Sequence, residues 1–364
     1  MSPTWYVNPA ARLWTTTPVT GVTEFHESLP GYAPTRLVEV PALADELGVR
    51  RVFVKEESSR FGLPAFKVLG AAYAVSRALS ALLGEGDQAL PLQVLADGNL
   101  PVTLIAATDG NHGRAVAHLA RLIGLPARIF VPDSLTAAAK YGIESEGAQI
   151  VELALEYDDV VLAAKEDASA AGALLIQDTA WPGYTQIPQW IVDGYSTLFS
   201  EADTQLAAAG APAPDLIAVP IGVGSLAQAA VRHYRAKSAD RVGPVLLGVE
   251  PTHAPAIITS LQAGRLTSVP THPTIMAGLN CGTPSHGAWP DLLSGLDAAT
   301  TVTDQQAATA VHDLESAAID AGPCGAATLA ATRTALPKLA LPPTATVLLL
   351  STESRTANPL PNHL

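Results

Sequence analysis

Short runs of apolar and β-branched residues alternate along this chain with segments of helical spacing, and that alternation leaves few folds open. The runs are Arg51–Val54, Val102–Ala106, Ala127–Val131, Gln149–Leu153, Leu174–Gln177, Leu216–Pro220, Val245–Val249 and Thr346–Leu350. Several are apolar throughout, as strands buried on both faces should be. Between them apolar residues recur at helical intervals: Val68, Ala72, Val75, Leu79 and Leu82 after Lys67, then Val116, Leu119, Ala120 and Ile123 after Asn111. Strand–helix alternation predicts an α/β fold with mostly parallel sheets covered by helices. Right-handed crossovers then place ligands at the C-terminal ends of the strands. No repeat of solenoid period and no long low-complexity tract breaks the pattern.

The 364 residues are enough for two domains sharing one cleft, and 48% apolar content builds a large core easily. The net charge of -13 argues against nucleic acid and against an anionic membrane surface as partners. The two cysteines, Cys281 and Cys324, give neither a disulfide framework nor a metal spacing, so no metal is expected and a reducing compartment is. Met1–Trp5 lacks the basic start and apolar run of a signal peptide, and no stretch is long enough to span a bilayer. A cytoplasmic protein is the expectation.

Five segments carry possible chemistry. Lys67 opens a helix in Phe66-Lys67-Val68-Leu69-Gly70, among apolar neighbours that suit a desolvated, imine-forming amine. A lysine snorkelling at a helix start fits that pentapeptide equally well. Thr108-Asp109-Gly110-Asn111-His112-Gly113 joins an apolar strand to a helix. Its turn amides and Thr108 make an anion site suited to a carboxylate, with Gly110 and His112 as further candidates. Asn111 can hydrogen-bond a phenolic oxygen, and Asp109 can accept a proton or cap the helix. Gly222-Val223-Gly224-Ser225, again between strand and helix, can cradle a phosphate. Ala227 stands where a dinucleotide fingerprint has its third glycine, which leaves that alternative open. Asp178, in Gln177-Asp178-Thr179-Ala180-Trp181, sits just past a strand beside an aromatic cluster, as catalytic group or as cap. Ser351 and Thr352 end the last strand, where hydroxyls can meet a ring nitrogen or form a turn. A Schiff-base amine, a ring and carboxylate grip, and a phosphate loop together fit pyridoxal phosphate (PLP).

In combination these segments resemble the PLP-dependent enzymes of fold type II, the tryptophan synthase β-subunit superfamily, and within it the 2,3-diaminopropionate ammonia-lyases. The matching stretches are 61–70, 107–114, 177–181, 222–224 and 274–282, spread over most of the chain. Asp109, where most relatives carry a small residue, and Asp178-Thr179-Ala180-Trp181 are the features similar to the diaminopropionate branch. The resemblance implies two domains, each with a mostly parallel sheet flanked by helices, and the cofactor in the cleft between. Residues 1–80 with 195–364 would form the large PLP-binding domain, and 81–194 the small one carrying the Asp-Gly-Asn-His-Gly turn.

It further implies Lys67 as the cofactor lysine, Asn111 at the 3′ oxygen, and Gly222, Val223, Gly224 and Ser225 around the phosphate. Phe66 and Leu226 would line the cofactor, and Ser351 or Thr352 would face its ring nitrogen. Asp109 and Asp178 would take the α proton, one for each substrate enantiomer. The implied reaction is α,β-elimination of 2,3-diaminopropionate, or a close β-substituted amino acid, through an external aldimine and aminoacrylate to pyruvate and ammonia. A homodimer is expected on the same ground.

Two departures bear on the substrate. Ala321-Gly322-Pro323-Cys324-Gly325 stands where the family has Ser-Gly-Glu-Ser-Gly, and Cys324-Gly325-Ala326-Ala327 is similar to the serine and threonine dehydratases. In the tail, Ser351-Thr352-Glu353-Ser354-Arg355 has Ser-Arg where the family has Gly-Asp. The alternatives are therefore a dehydratase-like lyase, a β-replacement synthase acting on another β-substituted amino acid, and a catalytically silent PLP-binding relative.

Overall fold

A computed structural model describes residues 4–86, 88–236 and 243–361. Met1–Pro3, part of the stretch compared above with a signal peptide, lie outside them. The chain divides into two compact units, one made of 1–19, 34–59 and 198–364, the other of 20–33 and 60–197.

The larger unit is built on seven strands in the order β1-β10-β9-β8-β11-β3-β2. These are β1 (Trp5–Val7), β2 (Arg36–Glu39), β3 (Arg51–Glu56), β8 (Leu216–Pro220), β9 (Val245–Pro251), β10 (Ala298–Val302) and β11 (Thr346–Ser351). Both edge strands run antiparallel to their neighbours and the interior pairs are parallel. The interior strands β8, β9, β10 and β11 are buried along their whole length, which explains their apolar runs. The helix Pro323–Leu339 packs its alanines into the core formed on Val52, Val54, Leu216, Leu247, Val347 and Leu349.

The smaller unit has four strands, all parallel, in the order β6-β5-β4-β7: β4 (Thr103–Ala107), β5 (Ala127–Pro132), β6 (Gln149–Leu153) and β7 (Ala173–Leu175). The helix Tyr157–Asp167 buries Val160, Val161 and Ala164 against Ile105, Ala107 and Phe130. The helix Val68–Leu82 packs on both Asn111–Leu122 and Gln186–Gly194.

Eight strands fall where the sequence predicts them, with ends shifted by a residue or two. β1, β2 and β10 are additional. β7 closes at Leu175, so Gln177 lies past the strand. Residues 60–80, expected with the larger body, belong to the smaller unit, because their helix packs on the helices of that unit. The turns singled out above follow C-terminal strand ends: Thr108 after β4, Asp178 after β7, Gly222 after β8, and Ser351 closing β11. No helix among the described residues is long and apolar enough to cross a membrane.

Candidate active site

In the smaller unit, Lys67 immediately precedes the helix Val68–Leu82 and its amine meets a carboxylate from the loop after β7. Lys67 Nζ lies 2.6 Å from Asp178 Oδ2, across 111 positions of sequence. The snorkelling-surface alternative is therefore excluded for Lys67, whose side chain is about four-fifths covered (22% exposed). Burial works against the ammonium, but the combined pull of Asp178, Tyr195 and Asp109 outweighs it and holds the amine above its usual range. For Asp178, burial pushes the carboxyl up, while the charge and hydrogen bond of Lys67 prevail and bring it down to about 2. Asp109 is thus within electrostatic reach of the same amine. The Lys67 amine also sits 5.4 Å from the centre of the Phe66 ring, which in turn packs on Tyr195 at 4.8 Å.

The Thr108–Gly113 turn is held by its own threonine. Thr108 Oγ1 accepts from Gly110 N at 2.9 Å and Gly113 N at 3.0 Å. Gly110 has φ 138°, a conformation that glycine adopts readily, and Gly113 has no room for a side chain because a Cβ would lie 2.3 Å from Thr108 Cγ2. His112 Nε2 donates to Ile176 O at 2.7 Å, so Nδ1 carries the lone pair; it is buried without a hydrogen-bond partner. Burial lowers the His112 pKa and keeps the ring neutral. Two of the three groups proposed for a carboxylate are thus engaged elsewhere, the Gly110 amide inside the turn and the His112 ring on Ile176. The Thr108 hydroxyl, accepting twice, keeps its proton to donate. Asn111 opens the following helix beside them.

In the larger unit the glycine loop leads from β8 into the helix Ser225–Tyr234. Gly224 caps that helix at φ 111°. A Cβ on Gly222 would lie 2.8 Å from Gly278 O and 3.2 Å from Cys281 Sγ. The 274–282 stretch is thereby packed against the loop, which leaves the amides at the helix start as a cradle for an anion, with Ser225 and Leu226 buried beside them. On the neighbouring strand β11, Ser351 Oγ is buried and has no hydrogen-bond partner. A glycine cradle and an orphaned hydroxyl at adjacent strand ends fit the phosphate and ring nitrogen of PLP. Gly325 lets the helix Pro323–Leu339 approach Ser351 and Thr352 closely, since a Cβ there would lie 2.7 Å from Thr352 N.

Two residues were not visible in the motifs. Tyr195, fully buried, shares the surroundings of Lys67, and only the aromatic clustering hinted at it. Glu353 brings its side chain to the turn that lacks the family glutamate: Oε1 accepts from Cys324 N at 3.4 Å and from Asn358 Nδ2 at 3.1 Å. No local pattern signals that contact. Glu250, the acidic residue near the end of β9 that a dinucleotide's ribose would need, instead accepts from Ile257 N and Ile258 N, each at 2.8 Å.

A covered lysine with a carboxylate on its amine in one unit, and a glycine loop at a helix start in the other, are features expected of one class: the family described as pyridoxal-phosphate dependent enzymes matches residues 28–353. A diaminopropionate ammonia-lyase of Escherichia coli is 34% identical over 352 residues, 92% of this chain and 87% of its own length. One from Salmonella typhimurium is 38% identical over 277 residues, 74% and 68% of the two chains. The crystal structure of the Escherichia coli enzyme in complex with an aminoacrylate-PLP azomethine intermediate superimposes with a TM-score of 0.86 at 32% identity, covering 97% of this chain and 94% of that one. The chain belongs to the diaminopropionate ammonia-lyase family of pyridoxal-phosphate-dependent enzymes.

Proposed function

We propose that this enzyme eliminates ammonia from 2,3-diaminopropionate. The observation that carries this reading is the Asp178 carboxylate on the Lys67 amine, with Asp109 within electrostatic reach of it. Bound PLP supplies the electron sink that makes the substrate α proton acidic. Lys67 would hold the cofactor, with the Gly222–Ser225 amides at its phosphate, Ser351 at its ring nitrogen, and Asn111 at its 3′ oxygen. Thr108 would donate to the substrate carboxylate.

Asp178 and Asp109 then take the α proton, each serving one enantiomer. Asp178 suits this work because its low pKa is owed to the charge on Lys67. Once that charge is withdrawn, burial prevails and the carboxylate becomes a stronger base. Loss of the α proton and cleavage of the β carbon–nitrogen bond release one ammonia. Water converts the liberated 2-aminoacrylate into pyruvate and a second ammonia. The same reading carries the expectation of a homodimer, which sedimentation of the purified protein would establish or exclude.

The test is an absorbance spectrum with PLP, followed by L- and D-2,3-diaminopropionate under a pyruvate assay, for wild type and Lys67→Ala. An aldimine band lost in the variant and pyruvate formed by wild type are expected. A band with no pyruvate from either enantiomer would defeat the substrate assignment, and pyruvate from serine alone would favour a dehydratase.

A further inference from the structure

Gln177 is fully buried and lies just past β7, immediately before Asp178. Its side chain spans two loops. Oε1 accepts from the backbone N–H of Ala107 at 2.9 Å, at the last residue of β4 and two positions before Asp109. Nε2 donates to Tyr157 Oη at 3.2 Å and reaches Asp178 Oδ1 at 3.5 Å. The backbone N–H of Gln177 goes to Tyr184 Oη at 2.9 Å, and that hydroxyl donates to Leu175 O at 2.8 Å. Strand pairing between β4 and β7 ends at Ile105 and Leu175, and one more backbone bond follows, Ile176 N to Ile105 O at 2.7 Å. Beyond it the chain leaves the sheet to carry Asp178 toward Lys67. The Gln177 amide stands in for the missing backbone carbonyl opposite Ala107. The His112–Ile176 bond ties the far side of the Asp109 turn to the same segment.

We propose that Gln177 is a positioning residue that fixes Asp178 against the Asp109 turn and so sets the balance between the two substrate enantiomers. The enantiomer half rests on the roles proposed above for the two aspartates. The Asp178 carboxylate is held from both sides, with Oδ2 on Lys67 and Oδ1 beside the Gln177 amide. The titratable groups that face it are Lys67, His112, Tyr184 and Tyr195.

Gln177→Glu separates positioning from scaffolding. It keeps an acceptor for Ala107 N–H and one for the Tyr157 hydroxyl, but sets a carboxylate where Asp178 has a donor. Like charge raises the Asp178 pKa. The acidic limb of kcat/KM should move up by about one pH unit for one enantiomer only, and the D/L ratio should change about tenfold. Hydrogen exchange of the cofactor-free protein should still protect the Ala107 amide. In Gln177→Met that protection is lost, and the D/L ratio shifts without movement of the acidic limb. The methionine variant carries the test alone if the glutamate variant does not fold. Equal losses on both enantiomers with an unmoved acidic limb would overturn the proposal and reduce Gln177 to a scaffold. Asp109→Asn and Asp178→Asn run alongside: if each impairs both enantiomers equally, the roles given to the aspartates fail. Gln177 is then judged on Ala107 protection and on the pH limb with either substrate.

Discussion

At the residue scale, Ser351 shows how a functional group can be recognised by what it lacks. Its hydroxyl is buried at the end of β11 without a partner, and an unsatisfied buried hydroxyl costs about 1–3 kcal/mol. Ser351→Ala should therefore leave the cofactor-free protein at least as stable, by up to about 1 kcal/mol, while weakening PLP binding. Urea unfolding and a spectroscopic PLP titration check the two halves. Lower stability with unchanged affinity would assign the hydroxyl to packing. Ser351 was legible as a candidate because it ends an apolar strand. Its lack of a partner was not, since that depends on every chain segment around it.

At the scale of elements, the site depends on how closely two helices approach. Gly70 lies one turn into the Lys67 helix, and Gly194 ends the helix Gln186–Gly194. A Cβ on Gly70 would lie 2.6 Å from Tyr195 Cε1 and 2.7 Å from Ile191 O; one on Gly194 would lie 2.7 Å from Gly70 Cα. The backbones are in contact, and that contact brings Tyr195 under Phe66 beside Lys67. Glycine inside a helix costs about 1 kcal/mol relative to alanine, yet at this crossing alanine does not fit. Gly70→Ala should destabilise the protein by about 1–3 kcal/mol and reduce turnover by displacing Lys67. An unchanged urea midpoint would show that the helices can separate freely. Both helices were readable from spacing, whereas the requirement for glycine became visible only once they crossed. β10 makes the converse point. Ala298-Ala299-Thr300-Thr301-Val302 has no strong apolar run, and it forms a buried strand by pairing with β9.

For the whole molecule, stability should carry a pH dependence from Glu250. This carboxyl is 1% exposed at the end of β9, and burial pushes it up to about 8 from an ordinary 4.5, against the hydrogen bonds from Ile257, Ile258 and Ala256. Between those values the folded chain keeps a proton that the unfolded chain releases, so this group's contribution is fully present below 4.5 and is lost as pH rises through about 8. Glu250→Gln should flatten the fall in Tm across that range, measured by calorimetry in matched buffers. An unchanged slope would mean that the backbone donors keep the carboxylate ionised.

By itself the sequence determined most of the interior strands, β10 excepted, with their flanking helices, and which residue types stand at the strand ends, because burial periodicity and turn chemistry act over a few neighbouring positions. The tertiary structure decided the rest. It moved the Lys67 helix into the smaller unit, joined Lys67 to Asp178 across 111 positions, engaged Gly110 and His112 internally, and brought Glu353 to Cys324. These contacts form between segments far apart in the chain, where the partner of a charge or an amide is chosen by packing and exclusion of water, and no local pattern carries that choice.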